Sequence, residues 1–87
     1  MKKRSLEKIL KALANRRRLA ILGQLKLRAM KVGDVAKALH LAFKTTSRNL
    51  VTLERAGVVD KTQKRREVHY RISSTPKRFI KEIINEL

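Results

Sequence analysis

The chain has 87 residues, room for one small domain spanning 1–87, because two independent cores would need more chain. Its 23 Lys and Arg against 7 Asp and Glu give a formal net charge of +16, which points to a polyanionic partner, while 43% hydrophobic residues are too many for a disordered basic tail. The absence of cysteine excludes a disulfide scaffold and a thiolate metal site, and charges break every apolar run well short of the ~20 residues of a membrane span or the core of a signal peptide, so the expected location is the cytoplasm, at the nucleoid.

Residues 1–4, with Lys2, Lys3 and Arg4, read as a basic tail. Ser5 is suited to cap a helix over 5–13 in which Leu6, Ile9, Leu10 and Leu13 follow i, i+3, i+4, i+7 spacing. Asn15 is a second capping residue, opening a helix over roughly 16 to 27 whose apolar face is Leu19, Ile21, Leu22 and Leu25. Val32, Val35, Ala36 and Leu39 repeat the spacing over little more than two turns, and His40, Leu41 and Ala42 form a tight turn after them. From Phe43 to Ala56, Thr46, Leu50 and Leu53 share one face while Lys44, Thr45, Arg48, Thr52 and Arg55 share the other, and Gly57 is placed to end this helix in the left-handed conformation.

After Gly57 the period changes from 3.6 to 2: Val59, then Val68, Tyr70 and Ile72, alternate with polar neighbours, which predicts a β-hairpin over 59–72. Its tip, Gln63-Lys64-Arg65-Arg66, lacks the Gly or Asn-Gly of a two-residue turn, so a longer, mobile loop is expected. Thr75 and Pro76 then suit the cap and first position of a last helix over 76–87, with Phe79, Ile80, Ile83, Ile84 and Leu87 as its apolar stripe.

Helix, helix, short helix, tight turn, polar-faced helix, basic hairpin and terminal helix make a mainly α chain with a small β-hairpin, in the order of a winged helix-turn-helix. The stretches LKALANRRRLAIL, VGDVAKALHLAFKTTSRNLVTLERAGVV and REVHYRI, through about residues 6 to 72, resemble ArsR-type winged-helix transcriptional regulators in order and spacing. The resemblance implies a DNA-binding regulator, expected to be a repressor, whose first and last helices form a two-fold dimer. It also implies where metal-sensing relatives keep ligands: a Cys pair that would fall at Lys31 and Gly33, or His and carboxylates on the terminal helix. This sequence has neither, and His40 and His69 stand in no ligand spacing, so no metal and no cofactor are expected. No Gly-rich phosphate loop, paired carboxylates or nucleophile and base point to catalysis.

A helix presented by such a turn enters the major groove of double-stranded DNA by its first turns, which places Phe43, Lys44, Thr45, Ser47 and Arg48 of helix 43–56 at base edges and phosphates. Phe43 meets a thymine methyl or packs in the core, and Asn49, where the family often has His, makes a groove contact or a structural hydrogen bond. Arg55 lies further along the same face. Lys64, Arg65 and Arg66 on the wing would reach the backbone or minor groove. Arg16, Arg17 and Arg18 oppose the dipole of the helix they begin, which favours use by phosphate, with pairing to an acidic neighbour as the alternative. Leu6, Ile9, Leu10 and Leu13 together with Phe79, Ile80, Ile83, Ile84 and Leu87 exceed what one small core can hold, so they are assigned to a homodimer interface over closure of the chain's own core. Three other functions fit less well: an architectural protein coating DNA by charge and shape, a docking domain for an acidic protein, and an RNA binder.

Overall fold

In the computed structural model, which describes residues 1–87, the elements run α1 (Lys3–Leu13), α2 (Arg16–Leu25), β1 (Met30–Lys31), α3 (Val32–Leu39), α4 (Phe43–Arg55), β2 (Val59–Lys64), β3 (Glu67–Ile72) and α5 (Arg78–Asn85). The fold is a winged helix-turn-helix. One core joins them: Ile21 and Leu22 of α2, Val35 of α3, Leu50 and Leu53 of α4, Val58 and Val59 before and in β2, Tyr70 of β3 and Ile80 of α5 are all buried in a single cluster. Burying each Leu or Ile stabilises by about 1.5–3 kcal/mol, so the apolar face of α4 fixes which side of that helix is left to solvent.

The helix boundaries follow local chemistry. The Asn15 side chain accepts a hydrogen bond from the Arg18 backbone N–H at 3.0 Å and caps α2 as expected. At the end of α3, His40 takes a left-handed φ of 56°. The Leu41 and His40 N–H groups then donate back to the Ala36 and Lys37 carbonyls, at 2.9 and 3.3 Å. Gly57, at φ 78°, closes α4 in the same way, with Val58 and its own N–H donating to the Leu53 and Glu54 carbonyls at 3.0 and 2.9 Å. Ser5 and Thr75 cap nothing: α1 begins at Lys3 with Lys2 before it, so Lys3 and Arg4 are helical and not tail, and α5 begins at Arg78, beyond Pro76.

The sheet has three strands in the order β1-β3-β2, all antiparallel. Its edge strand β1 has no signature in the sequence. It aligns Met30 with Tyr70 and Lys31 with His69, and so ties the wing to the start of α3. β2 and β3 pair without slippage from Val59 opposite Ile72 to Lys64 opposite Glu67. The register leaves only Arg65 and Arg66 for the turn, so the wing ends in a tight two-residue turn and not the expected longer loop. Arg65 accordingly takes φ 62°, a region where a side chain costs about 1 kcal/mol relative to Gly.

The terminal stripes are split. Ile9 and Leu13 of α1 and Ile80 and Ile84 of α5 are buried in the chain's own core, which removes them from the expected interface. On α1, Leu6 and Leu10 stay 37% and 48% exposed; on α5, Phe79 and Ile83 are half-buried and Leu87, just beyond the helix, is 42% exposed. Each terminal helix therefore spends one row of its stripe on the monomer and leaves the adjacent row, one helical step around, toward solvent.

Candidate nucleic-acid interface

The first turns of α4 carry the expected polar residues outward. Lys44 and Arg48 are exposed, Thr45 and Ser47 are half-buried, and Thr46 faces the core with its hydroxyl donating to the Ala42 carbonyl at 2.9 Å. Phe43 is 61% exposed, so it does not pack in the core. The ring lies near Gly33 on one side and keeps the rest of its surface open to solvent. Ala42, the residue before α4, supplies no side-chain cap, and no acidic residue lies in the first turn, so this helix end presents open amides together with Lys44.

The wing stands beside this end. Phe43, with Lys31, Val32, Gly33 and Asp34 from β1 and α3, shares a shallow groove with Arg66, Glu67 and Val68 of the wing. Along the hairpin the charges sort by position. At its base Arg71 pairs with Asp60 at 3.9 Å, and beside the turn Glu67 is approached by Lys31 at 3.5 Å and His69 at 3.7 Å. These pairs are solvated and contribute little to stability. Lys64, Arg65 and Arg66 make no ion pair, so the tip keeps its full positive charge. The notch beneath it, about 640 Å³, is lined by Lys64, Arg65, Arg66, Glu67 and His69 without one apolar side chain, unlike the mostly apolar pockets that hold small organic ligands.

Two of the expected contact residues are placed elsewhere. Asn49 is engaged within the protein: its amide nitrogen donates to the Thr45 carbonyl and its oxygen accepts from Arg18, both at 3.0 Å, the structural hydrogen bonding expected as one of its two roles. Arg55 is exposed but lies three turns beyond Phe43, roughly 18 Å along the axis. It lines a separate groove with Lys8, Lys11, Thr52 and Arg18 between α1 and the end of α4. Arg16 and Arg17 are exposed and unpaired at the start of α2.

Arg18, which opposes the dipole of its own helix, has a local explanation that the sequence did not show. Its Nε donates to the Ala12 carbonyl at 2.6 Å and its Nη2 to the Lys11 carbonyl at 3.2 Å, at the negative end of α1. The other two terminal carbonyls of α1, Leu10 and Leu13, accept from Ala14 and Asn15 at 2.9 and 2.8 Å. Every orphan acceptor of that helix end is thus satisfied, and the cation belongs to α1 by location though to α2 by sequence.

No three His, Asp or Glu side chains come together as metal ligands, and no helix is long and apolar enough to cross a membrane. Burial pushes the Tyr70 hydroxyl above the usual tyrosine range, with the Glu54 carboxylate adding to the shift, so this phenol stays a neutral core group.

Comparison with known proteins agrees with this geometry. The model of the family described as bacterial regulatory protein, arsR family, matches residues 15–61, from the cap of α2 into the wing. The transcriptional activator HlyU of Vibrio cholerae is 35% identical over 79 residues, which cover 91% of this chain and 73% of HlyU. Among solved structures, reduced HlyU from Vibrio cholerae superposes with a TM-score of 0.81 at 34% identity over 97% of this chain and 85% of that one. A homodimeric winged helix-turn-helix DNA-binding domain from Mycobacterium bovis superposes with a TM-score of 0.83 at 29% identity over 95% of this chain and 74% of that one.

Proposed function

The chain belongs to the ArsR family of bacterial regulatory proteins, and on this basis we propose that it acts as a homodimeric, sequence-specific binder of double-stranded DNA that regulates transcription, a binding protein and not an enzyme. One observation carries the reading most: the exposed turn Phe43, Lys44, Arg48 lies beside an unpaired cationic wing tip in a chain of formal charge +16. The α4 turn reads base edges in the major groove, with Arg48 or Lys44 donating to guanine and Phe43 against a thymine methyl. Thr45 and Ser47 hydrogen-bond at its margin, and Lys64, Arg65 and Arg66 hold the neighbouring backbone or minor groove. Arg16 and Arg17 add phosphate contacts at the start of α2. Repression follows where the bound site overlaps that of the polymerase; the relative HlyU carries the name of an activator, so the direction depends on where the site lies.

The strain at Arg65 supports the same assignment. A wing needed only for folding would be more stable with Gly there, so an Arg at φ 62° is explained by what its side chain contacts. Two variants separate reading from attraction. Arg48→Ala is expected to cost ~1 to 3 kcal/mol on the preferred site and to relax preference at one position of each half-site. Arg65→Gly is expected to raise the melting temperature, to weaken preferred and random duplexes by similar factors, and to make the salt slope shallower by about one unit for each phosphate that the wing no longer neutralises. Equal losses on every duplex for both variants would favour the architectural reading, which the high charge also supports.

A further inference from the structure

The guanidinium of Arg18 touches two helices besides its own, and we infer that, with Asn49, it is a positioning device that fixes the angle of the reading helix α4 against the terminal helix α1. The inference rests on the DNA-reading role proposed above. Three of the five guanidinium donors are engaged: Nε and Nη2 with the Ala12 and Lys11 carbonyls of α1, and Nη1 with Asn49 Oδ1 at 3.0 Å. The group is planar and rigid, so α1 and the middle of α4 are held in one plane of hydrogen bonds. Asn49 is locked from its other side by donation to the Thr45 carbonyl at 3.0 Å, one turn back. It is also the chain neighbour of Arg48. The path from the outward Leu10 of α1 to the base-reading Arg48 therefore runs through one turn of helix, one guanidinium and one amide.

This path matters because a dimer reads two half-sites only if its two reading helices keep a fixed separation. Hydrophobic packing of Ile9, Ala12 and Leu13 holds α1 in place but is tolerant of small rotations, whereas directional bonds to a charged group are not. Arg18 is half-buried and three of its five donors are held by the Ala12 and Lys11 carbonyls and Asn49, so its main partners lie within the protein. The bridge thus acts on DNA through α4.

The test is a double-mutant cycle of Asn49→Ala and Arg18→Lys, with Asn49→Asp as the conservative variant, measuring dimer dissociation and affinity for the preferred and for random duplexes. A loss of folded fraction lowers both affinities by one factor, so their ratio reports positioning and not stability. Asn49→Ala is expected to lower that ratio on the order of tenfold, with dimer dissociation changed by no more than about twofold, and to add nothing in the Arg18→Lys background. Asn49→Asp, which still accepts from Arg18 but cannot donate to the Thr45 carbonyl, is expected to recover part of the ratio while weakening both duplexes. An unchanged ratio in Asn49→Ala, or additive losses in the double variant, would overturn the bridge and leave the DNA reading standing. Equal weakening of both duplexes by Arg18→Lys, with both proteins fully folded, would make Arg18 a phosphate contact instead. A parent protein with no preferred duplex would overturn the reading and the bridge together.

Discussion

Raising the salt from about 50 to about 200 mM is expected to weaken binding to duplex DNA by roughly a thousandfold or more, the response of a protein that neutralises ~6 to 10 phosphates. The cations for this are present and uncommitted. Arg16, Arg17, Lys44, Lys64, Arg65 and Arg66 make no ion pair within the chain, and a dimer doubles them. Asp60 pairs with Arg71 at the base of the hairpin and Glu67 with Lys31 beside the tip, so only Glu67 and the unpaired Asp34 of the Phe43 groove offset part of this charge. Fluorescence anisotropy of a labelled duplex across a salt series gives the slope directly. A flat response would show that counterion release is not what drives binding and would remove DNA as the partner.

The second large effect is expected from charge on the outward rows of the terminal helices. Leu10→Asp combined with Leu87→Asp places carboxylates where α1 and the residue just beyond α5 leave apolar surface uncovered, so the chain should stay folded and sediment as a monomer. Losing the second reading helix removes the gain from simultaneous engagement of two half-sites, so affinity for the preferred duplex should fall by roughly a hundredfold or more. Ile80→Asp and Ile84→Asp serve as the contrast. Both residues lie within the core, and a charge there is expected to unfold the chain, seen as a collapse of helical circular dichroism. An unmodified protein that sediments as a monomer at high micromolar concentration would contradict the assignment of these rows to a partner copy.

The elements that the sequence made legible are those set by local period and by residues with restricted conformations. Leu50 and Leu53 mark the buried face of α4, Asn15 caps α2, Gly57 ends α4 with positive φ, and all three readings needed only neighbours within a turn or two. The wing turn departs from expectation because its geometry is imposed by six paired positions across β2 and β3, which override the preference of Arg65 for negative φ. β1 is two residues long, too short for any alternation to register. The terminal stripes were visible as stripes, but periodicity reports which residues share a face and not what covers it. Ile80 and Ile84 are buried in the core while Phe79 and Ile83 are half-buried at its edge, a division decided by the position of α5 on the rest of the fold.

Within the candidate interface, the exposure of Lys44 and Arg48 followed from the amphipathic pattern, and the free charge of Lys64, Arg65 and Arg66 from their clustering. The roles of Arg18 and Asn49 did not follow, since their bond joins residues 31 positions apart. The only local hint was an unfavourable one: a cation in the first turn of a helix is misplaced unless another helix ends nearby. Asn15 and Arg18 together form a short junction in which one side chain caps the start of α2 and the other caps the end of α1.

Selection of the purified protein on random duplex DNA tests the central claim most directly. The account predicts enrichment of a site with two-fold symmetry, its half-sites separated by about one helical turn or a multiple of it, and a loss of preference at one position of each half-site when Arg48 is replaced by Ala. Tight, salt-sensitive binding with no sequence enriched over the starting pool would contradict it, and would make this chain a binder of DNA charge and shape.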